Sequence, residues 1–98
     1  MSGVIDVPTG YERITGLSSA KGFTAAARKN ANVALIQAET VPIRYRDDGS
    51  DPTASEGMRL PINTFHEIRS DLSKFKAIEV DDSATLFVLY YYRAEDKM

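Results

Sequence analysis

Few side chains in this sequence could do chemistry, and the first to consider is the only histidine, His66. A single histidine cannot build a three-histidine zinc site within one chain. It could join a Ser-His-acid triad, but no G-x-S-x-G elbow accompanies it and the serines lie in turn-like segments. The absence of cysteine excludes disulfides, thiolate metal sites and thiol nucleophiles. We therefore predict a solvent-facing strand histidine and no catalytic residue.

A second candidate is the acidic stretch that contains Asp47, Asp48, Ser50 and Asp51. An EF-hand needs oxygen ligands at alternate positions, a glycine at the sixth and a glutamate at the twelfth, and this order does not match. Asp47 with Glu56 could form a glycosidase pair, but the sequence does not fix the separation on which that mechanism depends. Aspartates also form turns. We predict no metal, and a loop whose geometry is set by four residues: Asp47, Asp48, Gly49 and Pro52.

A third candidate is a group of arginines, Arg44, Arg46 and Arg59, which the strand pattern places on one polar face. Such a cluster could bind phosphate or carboxylate. The neighbouring aspartates and Glu56 favour a salt-bridge network, internal or between subunits. No Gly-rich phosphate loop is present, so no nucleotide or other cofactor is expected. The net charge of −2 and the pI near 5.3 argue against nonspecific nucleic-acid binding.

These residues must be positioned by strands. Val41, Ile43 and Tyr45 alternate with polar residues or proline, and Met58, Leu60 and Ile62 repeat the pattern. This period of two is typical of half-buried strands. Between the two strands, Asp48-Gly49 supplies a positive-φ residue and Asp51-Pro52 begins another turn, so an exposed, self-ordered loop is expected.

The remaining segments also predict short strands. Residues 32–39 are apolar in succession, which indicates a central strand covered on both faces, and the short Glu39-Thr40 link allows it to form one bent strand with 41–46. Further strands are expected over 11–17, around Phe23, and over 65–70, 75–80 and 84–92. The segment 75–80 would place Ile78 and Val80 in the core, and the strand at Phe23 would lead into a loop with Arg28 and Lys29.

About seven or eight short strands without a helix of ordinary length predict an all-β fold, a single-domain β-sandwich or jelly roll with Greek-key connections. Ninety-eight residues suit one domain with a modest core. We predict an N-terminal arm over 1–10, the sandwich over 11–93 and a C-terminal tail over 94–98. No secretory signal and no apolar run of membrane-spanning length is seen, so we expect no membrane contact and synthesis in the cytoplasm.

The strand at 84–92 carries the prediction about assembly. Its two faces are both apolar or aromatic, so both need cover, either from the chain itself or from a partner subunit. Tyrosine and phenylalanine supply anchor area at protein interfaces. The first ten residues present Val4, Ile5 and Val7, which suit either a flexible terminus or an arm laid on a neighbouring subunit.

A more specific resemblance lies in the run ALIQAETVPIRYRDDGSDPTASEGMRL, followed by DLSKFKAIEV and ATLFVLYYY. The order resembles a group of small bacteriophage and prophage virion proteins over about residues 11–92. The segment 20–32 departs from that group in being longer and more basic. The resemblance implies a β-sandwich without enzymatic activity that joins the virus particle, as a head decoration or cement protein. It also implies the host cytoplasm during assembly, a major capsid or other virion protein as partner, and a homo-oligomer, dimer or trimer.

On this basis we predict a set of partner-binding residues: Val4, Ile5, Val7, Arg44, Arg46, Phe87, Tyr90, Tyr91 and Tyr92. Two alternatives remain open at this point. One is a structural component of the phage tail or baseplate. The other is a carbohydrate-binding module, which would need Tyr11, Tyr45 and Tyr90 to be exposed and coplanar.

Overall fold

The computed structural model describes the backbone of residues 3–96 and the side chains of residues 5–94. Within that range the chain forms seven strands and one short 3-10 turn. The strands are β1 (Gly3–Ile14), β2 (Val33–Glu39), β3 (Ile43–Arg46), β4 (Met58–Leu60), β5 (Phe65–Ile68), β6 (Lys76–Glu79) and β7 (Thr85–Asp96), and the turn spans Leu72–Lys74.

The strands form two antiparallel sheets. The first has four strands in the order β1-β7-β2-β5, and the second has three in the order β4-β3-β6. One hydrophobic core joins them, since Ile36, Leu86 and Val88 of the first sheet cluster with Ile43 and Ala77 of the second. The predicted all-β fold class is therefore confirmed as a domain of two antiparallel sheets.

Strand β2 lies centrally, between β7 and β5, as its unbroken apolar sequence predicts. The alternative of one bent strand with 41–46 is wrong, because β3 belongs to the other sheet. The chain changes sheet at Thr40, which has a φ of +71°. The Thr40 hydroxyl lies 2.6 Å from the carbonyl oxygen of Ser83, to which it donates, and this bond ties the crossing to the turn before β7.

Strands β3 and β4 pair as the sequence predicts, with Ile43 opposite Leu60 and Tyr45 opposite Met58. Gly49 has a φ of +88°, in agreement with its predicted turn role. The loop between the strands is ordered by its own bonds: the Thr53 amide donates to the Glu56 carbonyl over 2.9 Å, and the Glu56 amide donates back over 3.2 Å.

The predicted strand around Phe23 is wrong. Only an isolated bridge between Lys21 and Ala77 occurs there, and turns follow over residues 25–30. Phe23 is nevertheless a core residue. Its ring stacks on Phe75 with centroids 4.2 Å apart and meets Tyr90 edge-on at 5.4 Å. The segment is thus fixed by aromatic packing, without pairing as a strand.

The predicted core face of residues 75–80 is also wrong. Phe75 and Ala77 are fully buried, whereas Ile78 and Val80 are only half-buried. Phe75 decides the register because its ring stacks on Phe23 on one side and on Tyr45 on the other, where the centroids lie 5.5 Å apart. Each aromatic pair contributes about 0.5–1.5 kcal/mol beyond its buried area, which favours the register that buries Phe75 between two rings.

The predicted boundaries of the N-terminal arm, at 10/11, and of the C-terminal tail, at 93/94, fall inside strands β1 and β7. Strand β1 pairs with β7 along its whole length, from Gly3 opposite Asp96 to Ile14 opposite Leu86. A twelve-residue strand spans about 40 Å, which agrees with the longest dimension of 47 Å against 24 and 23 Å for the others. Residues 3–8 with 91–96 form the distal ribbon of this pair.

Gly22 lies where two backbone segments touch. A Cβ atom added there would stand 2.7 Å from the carbonyl oxygen of Phe75. We expect Gly22→Ala to lower the free energy of unfolding by about 1–2 kcal/mol, because backbone must move to admit the methyl group. Gly49→Ala is the comparison, since its nearest atoms lie 3.9 Å away and only its positive φ is strained, at about 1 kcal/mol. Urea unfolding measures both. A loss below about 0.5 kcal/mol for Gly22→Ala would show that the contact at Gly22 is relaxed without cost.

Candidate protein-binding surface

The outer face of the four-stranded sheet carries an apolar groove. Register places Tyr11 and Leu35 on either side of Leu89, and Phe65 beyond Gln37. These residues belong to β1, β2, β7 and β5, and the cavity between them measures about 290 Å³. We call it the outer groove. The outward-facing side chains that line the outer groove, apolar and polar together, are Tyr11, Leu35, Gln37, Glu39, Phe65, Phe87 and Leu89.

The side chains of the outer groove are unusually exposed for their type. Tyr11 is 58% exposed, Phe65 66% and Leu89 42%. The rings of Tyr11 and Phe87 stack at 6.4 Å, so they cover each other only in part. Contiguous exposed apolar surface is a feature of many interaction sites, so the outer groove is a candidate site of this kind. The groove is the surplus apolar face that the two-faced sequence of β7 predicts.

A second apolar surface lies on the distal ribbon, on the opposite face of the same sheet. Val7 pairs directly with Tyr92, and Ile5 pairs with Ala94 one step further out. Tyr92 is on the same side of β7 as the buried Tyr90, but it lies beyond the core and is 49% exposed. We call Ile5, Val7 and Tyr92 the ribbon patch. All three are among the predicted partner-binding residues.

A β-bulge decides which face the ribbon patch occupies. The register of β1 against β7 shifts between Pro8 and Gly10, so Thr9 is an extra residue. Since side chains alternate along a strand, one inserted residue reverses the face of everything beyond it. Without the bulge, Ile5 and Val7 would lie on the same face as Tyr11. With it, they continue the inner face.

The other face of the ribbon carries a closed set of ion pairs. Arg93 donates to Asp6 on β1 over 2.7 Å and to Glu67 on β5 over 2.6 Å. Asn32 fixes the same position, since its side chain exchanges hydrogen bonds with the Arg93 backbone at 2.9 and 2.7 Å. The Arg93 hydrogen bonds hold the pKa of both carboxyls below the ordinary range. Arg93, Asp6 and Glu67 thus satisfy one another's charges within the chain.

These ion pairs predict how the stability of the domain changes at acid pH. Because the pKa of Asp6 and that of Glu67 are lowered in the folded chain, their stabilisation is complete above about pH 5 and is lost as pH falls through the folded values. We expect Arg93→Gln to raise both carboxyl midpoints toward their ordinary range, measured by NMR titration. Asp48 is the control, since its lowered pKa comes from Arg46. Unmoved midpoints at Asp6 and Glu67 would contradict the assignment.

The other predicted partner residues fall in different places. Phe87 lines the outer groove and Tyr91 is half-buried on the same face. Tyr90 is fully buried and its hydroxyl donates to the Glu12 carboxylate over 2.7 Å, so it belongs to the core and cannot contact a partner. The side chain of Val4 lies outside the residues whose side chains are described.

Two members of the predicted arginine cluster, Arg44 and Arg46, hold the loop. The Arg44 side chain donates to the carbonyl oxygens of Ala54 and Gly57, both at 3.0 Å. Arg46 pairs with Asp48 over 2.5 Å. Gly57 has a φ of +132°, and a Cβ there would lie 3.1 Å from the Tyr45 carbonyl oxygen. Arg44 and Arg46 therefore fix the loop from within.

Of the predicted loop residues, Asp47 accepts a hydrogen bond from Ser70 over 2.7 Å, and Asp48 accepts one from the Ser50 amide over 3.2 Å. Pro52 is buried. Asp47 and Glu56 line the same open pocket of about 350 Å³. In the part of the chain that the structure describes, no three histidine or carboxylate side chains are grouped so that they could hold a metal ion.

His66 is exposed on β5, and its ring lies 5.4 Å from that of Tyr45. The apolar residues of the outer groove that were not among the predicted partner-binding residues are Tyr11, Leu35, Phe65 and Leu89. They come from four strands, and only Leu89 lies in the segment 84–92, whose two faces are both apolar. Their common signal is a large apolar residue on the face opposite to the core, which becomes visible only when the core face is known.

The fold and its surfaces define an all-β domain with two antiparallel sheets and two exposed apolar areas. Comparison of the chain with protein-family models, with curated proteins and with solved structures finds no match. Over residues 3–96, the structure contains no helix long and apolar enough to cross a membrane.

Proposed function

We propose that this protein works by binding other protein subunits, without catalysis, as a structural component of a bacteriophage particle that decorates the assembled head. The observation that carries the binding part is the pair of exposed apolar surfaces, the outer groove and the ribbon patch. The virus particle as the setting is supported only by the sequence resemblance over residues 11–92. For the architecture, we propose a jelly-roll-like β-sandwich with Greek-key connections.

Decoration follows from these surfaces by linkage. A protein that binds the assembled shell, and not its separate subunits, stabilises the shell by an amount that grows with its affinity and concentration. Repeated shell positions are related by rotation, so copies are expected to bind in symmetric clusters. Each apolar area would be hidden in the particle, by the shell or by a neighbouring copy of the chain, which explains why it is tolerated on the surface of a single chain.

The test uses the purified protein and shells that lack it. We expect light scattering and co-sedimentation to show saturable binding to mature shells and none to the unexpanded precursor. Shells treated at elevated temperature should release their contents later when the protein is bound. Absence from every shell fraction together with recovery in tail fractions would overturn decoration and favour the tail or baseplate.

The carbohydrate alternative loses its proposed platform. It needs Tyr11, Tyr45 and Tyr90 to be exposed together, but Tyr45 is 9% exposed and Tyr90 is fully buried. Burial, together with the negative charge of Asp47, raises the pKa of the Tyr45 phenol, in keeping with this enclosed position. Only Tyr11 of the three could stack on a sugar ring.

A further inference from the structure

The two apolar surfaces differ in shape and lie on opposite faces of one sheet. The outer groove is concave and lies midway along β7, whereas the ribbon patch stands on a two-stranded extension at the end of the long axis. A projecting apolar ribbon and a concave apolar groove on the same chain have shapes that suit a contact between two copies. The rigid pairing of β1 with β7 prevents them from meeting within one copy.

The distribution of charged residues around the two surfaces also favours this contact. The ribbon patch has no charged member, and the charged Asp6 and Arg93 point to the other face, where they pair with each other and with Glu67. The apolar side chains of the outer groove are accompanied only by Gln37 and Glu39 at its rim. Among the described side chains, Glu39 is the one charge that lines either surface, and it is exposed at the rim of the groove, so docking need not bury it.

The areas are adequate for a specific contact. From the exposed fractions of Ile5, Val7 and Tyr92, the ribbon patch presents roughly 300 Å² of apolar side chain, and the outer groove a similar amount. Apolar atoms supply about 56–58% of a typical interface, so the roughly 600 Å² of apolar area from both copies corresponds to about 1,100 Å² in total, the low end of specific interfaces. Each copy in a closed ring would make two such contacts.

We propose that the ribbon patch of one copy occupies the outer groove of the next, head to tail, in a closed ring of at least three copies. A two-fold dimer cannot satisfy both surfaces, because they face opposite directions on one sheet and the same neighbour cannot lie on both sides. Head-to-tail contacts instead propagate and close by rotation. This inference rests on the proposed role of both areas as protein-binding surfaces, but its test needs no shell.

The test exploits the head-to-tail geometry with two exposed positions. Ile5→Asp damages only the ribbon patch, and Phe65→Asp damages only the outer groove; the side chains are 58% and 66% exposed, so both variants should fold. Circular dichroism and thermal unfolding check this. The matched control is Met58→Asp, which changes a 65% exposed apolar residue on the other sheet.

By size-exclusion chromatography with light scattering, we expect the wild type and Met58→Asp to have at least three times the mass of one chain, 10.8 kDa. Each of the other two variants should fall to one chain. Mixed in equal amounts, they should form a one-to-one heterodimer, since the intact groove of one accepts the intact ribbon of the other.

Three results would overturn the ring. They are a monomeric or dimeric wild type, a folded Ile5→Asp or Phe65→Asp variant that keeps the wild-type mass, and a mixture that stays monomeric. None of them decides whether the protein binds shells, which the preceding experiment measures. Conversely, a ring that ignores every phage particle would retain this inference and remove the proposed function.

Discussion

Replacing Phe75 with alanine should lower the free energy of unfolding by about 3–5 kcal/mol. Phe75 is fully buried, and its ring lies between those of Phe23 and Tyr45. The substitution removes the apolar contact area and leaves a cavity between the two sheets that neighbouring aromatic rings cannot fill without leaving their stacked positions. A domain of this size is stabilised by roughly 5–15 kcal/mol, so the variant is expected to lie near its unfolding limit at 37 °C.

Phe65→Ala is the matched control, because it makes the same chemical change at a side chain that is 66% exposed. We expect it to change stability by less than about 0.5 kcal/mol. Chemical unfolding should be measured at protein concentrations low enough for the chain to be monomeric, since Phe65 lies in the outer groove. Similar losses in both variants would show that the aromatic stack is not the centre of the core.

The second large effect is expected at Glu12, a half-buried carboxylate on β1. It accepts the Tyr90 hydroxyl over 2.7 Å and also the amide and the hydroxyl of Thr24. Glu12→Ala should cost about 2–3 kcal/mol, since a bond to a charged acceptor is lost and a buried hydroxyl is left without a partner. Tyr90→Phe should lower the free energy of unfolding by about 1 kcal/mol, because it removes the hydroxyl donor and, with it, the cost of desolvating that hydroxyl.

A double-mutant cycle tests this pair directly. We expect the loss from Glu12→Ala in the Tyr90→Phe background to be smaller by about 1 kcal/mol than in the wild type. The part that remains is due to Thr24, which ties the 20–32 segment to β1. Strict additivity of the two substitutions would mean that the hydroxyl and the carboxylate do not interact in solution.

The same pair predicts an alkaline response. Burial, and then the hydrogen bond to Glu12, raise the pKa of Tyr90 above that of a free tyrosine. The hydroxyl therefore stays neutral in the folded chain while the unfolded chain ionises above about pH 10, and stability falls as pH rises past that value. Between pH 9 and 11 the wild type should lose about 1 kcal/mol more than Tyr90→Phe. Equal losses would place Tyr90 in contact with solvent.

Much of the fold could be predicted because strands leave a period-two signal. The segments around Ile43 and Leu60 alternate clearly, and each became a strand. The failures have a common cause. At Phe23 and at Ile78 the local pattern was ambiguous, and aromatic packing from distant parts of the chain decided the outcome. A local window contains no information on which ring a side chain will stack.

For the candidate surfaces too, the sequence identified some of the residues but not their arrangement in space. The sequence showed that Ile5, Val7 and Tyr92 lie in segments with more apolar side chains than one small core can bury. These segments are the first ten residues and the aromatic strand at 84–92. Their grouping was not recognisable, since it needs residue 7 to lie opposite residue 92 and a bulge at Thr9 to turn both to one side. The role of Arg44 could not be predicted because its acceptors are loop carbonyls, which any sequence can supply, whereas Arg46 pairs with Asp48, as the neighbouring aspartates led us to expect.

The sequence by itself determined that this chain forms strands, that it has a turn at Gly49, and that its last strand carries more apolar surface than one core can hide. Those properties depend on residues within a few positions of each other. Only the tertiary structure decided which apolar side chains became core and which became surface. That choice depends on strand register, and a shift of one residue reverses the face of every side chain beyond it.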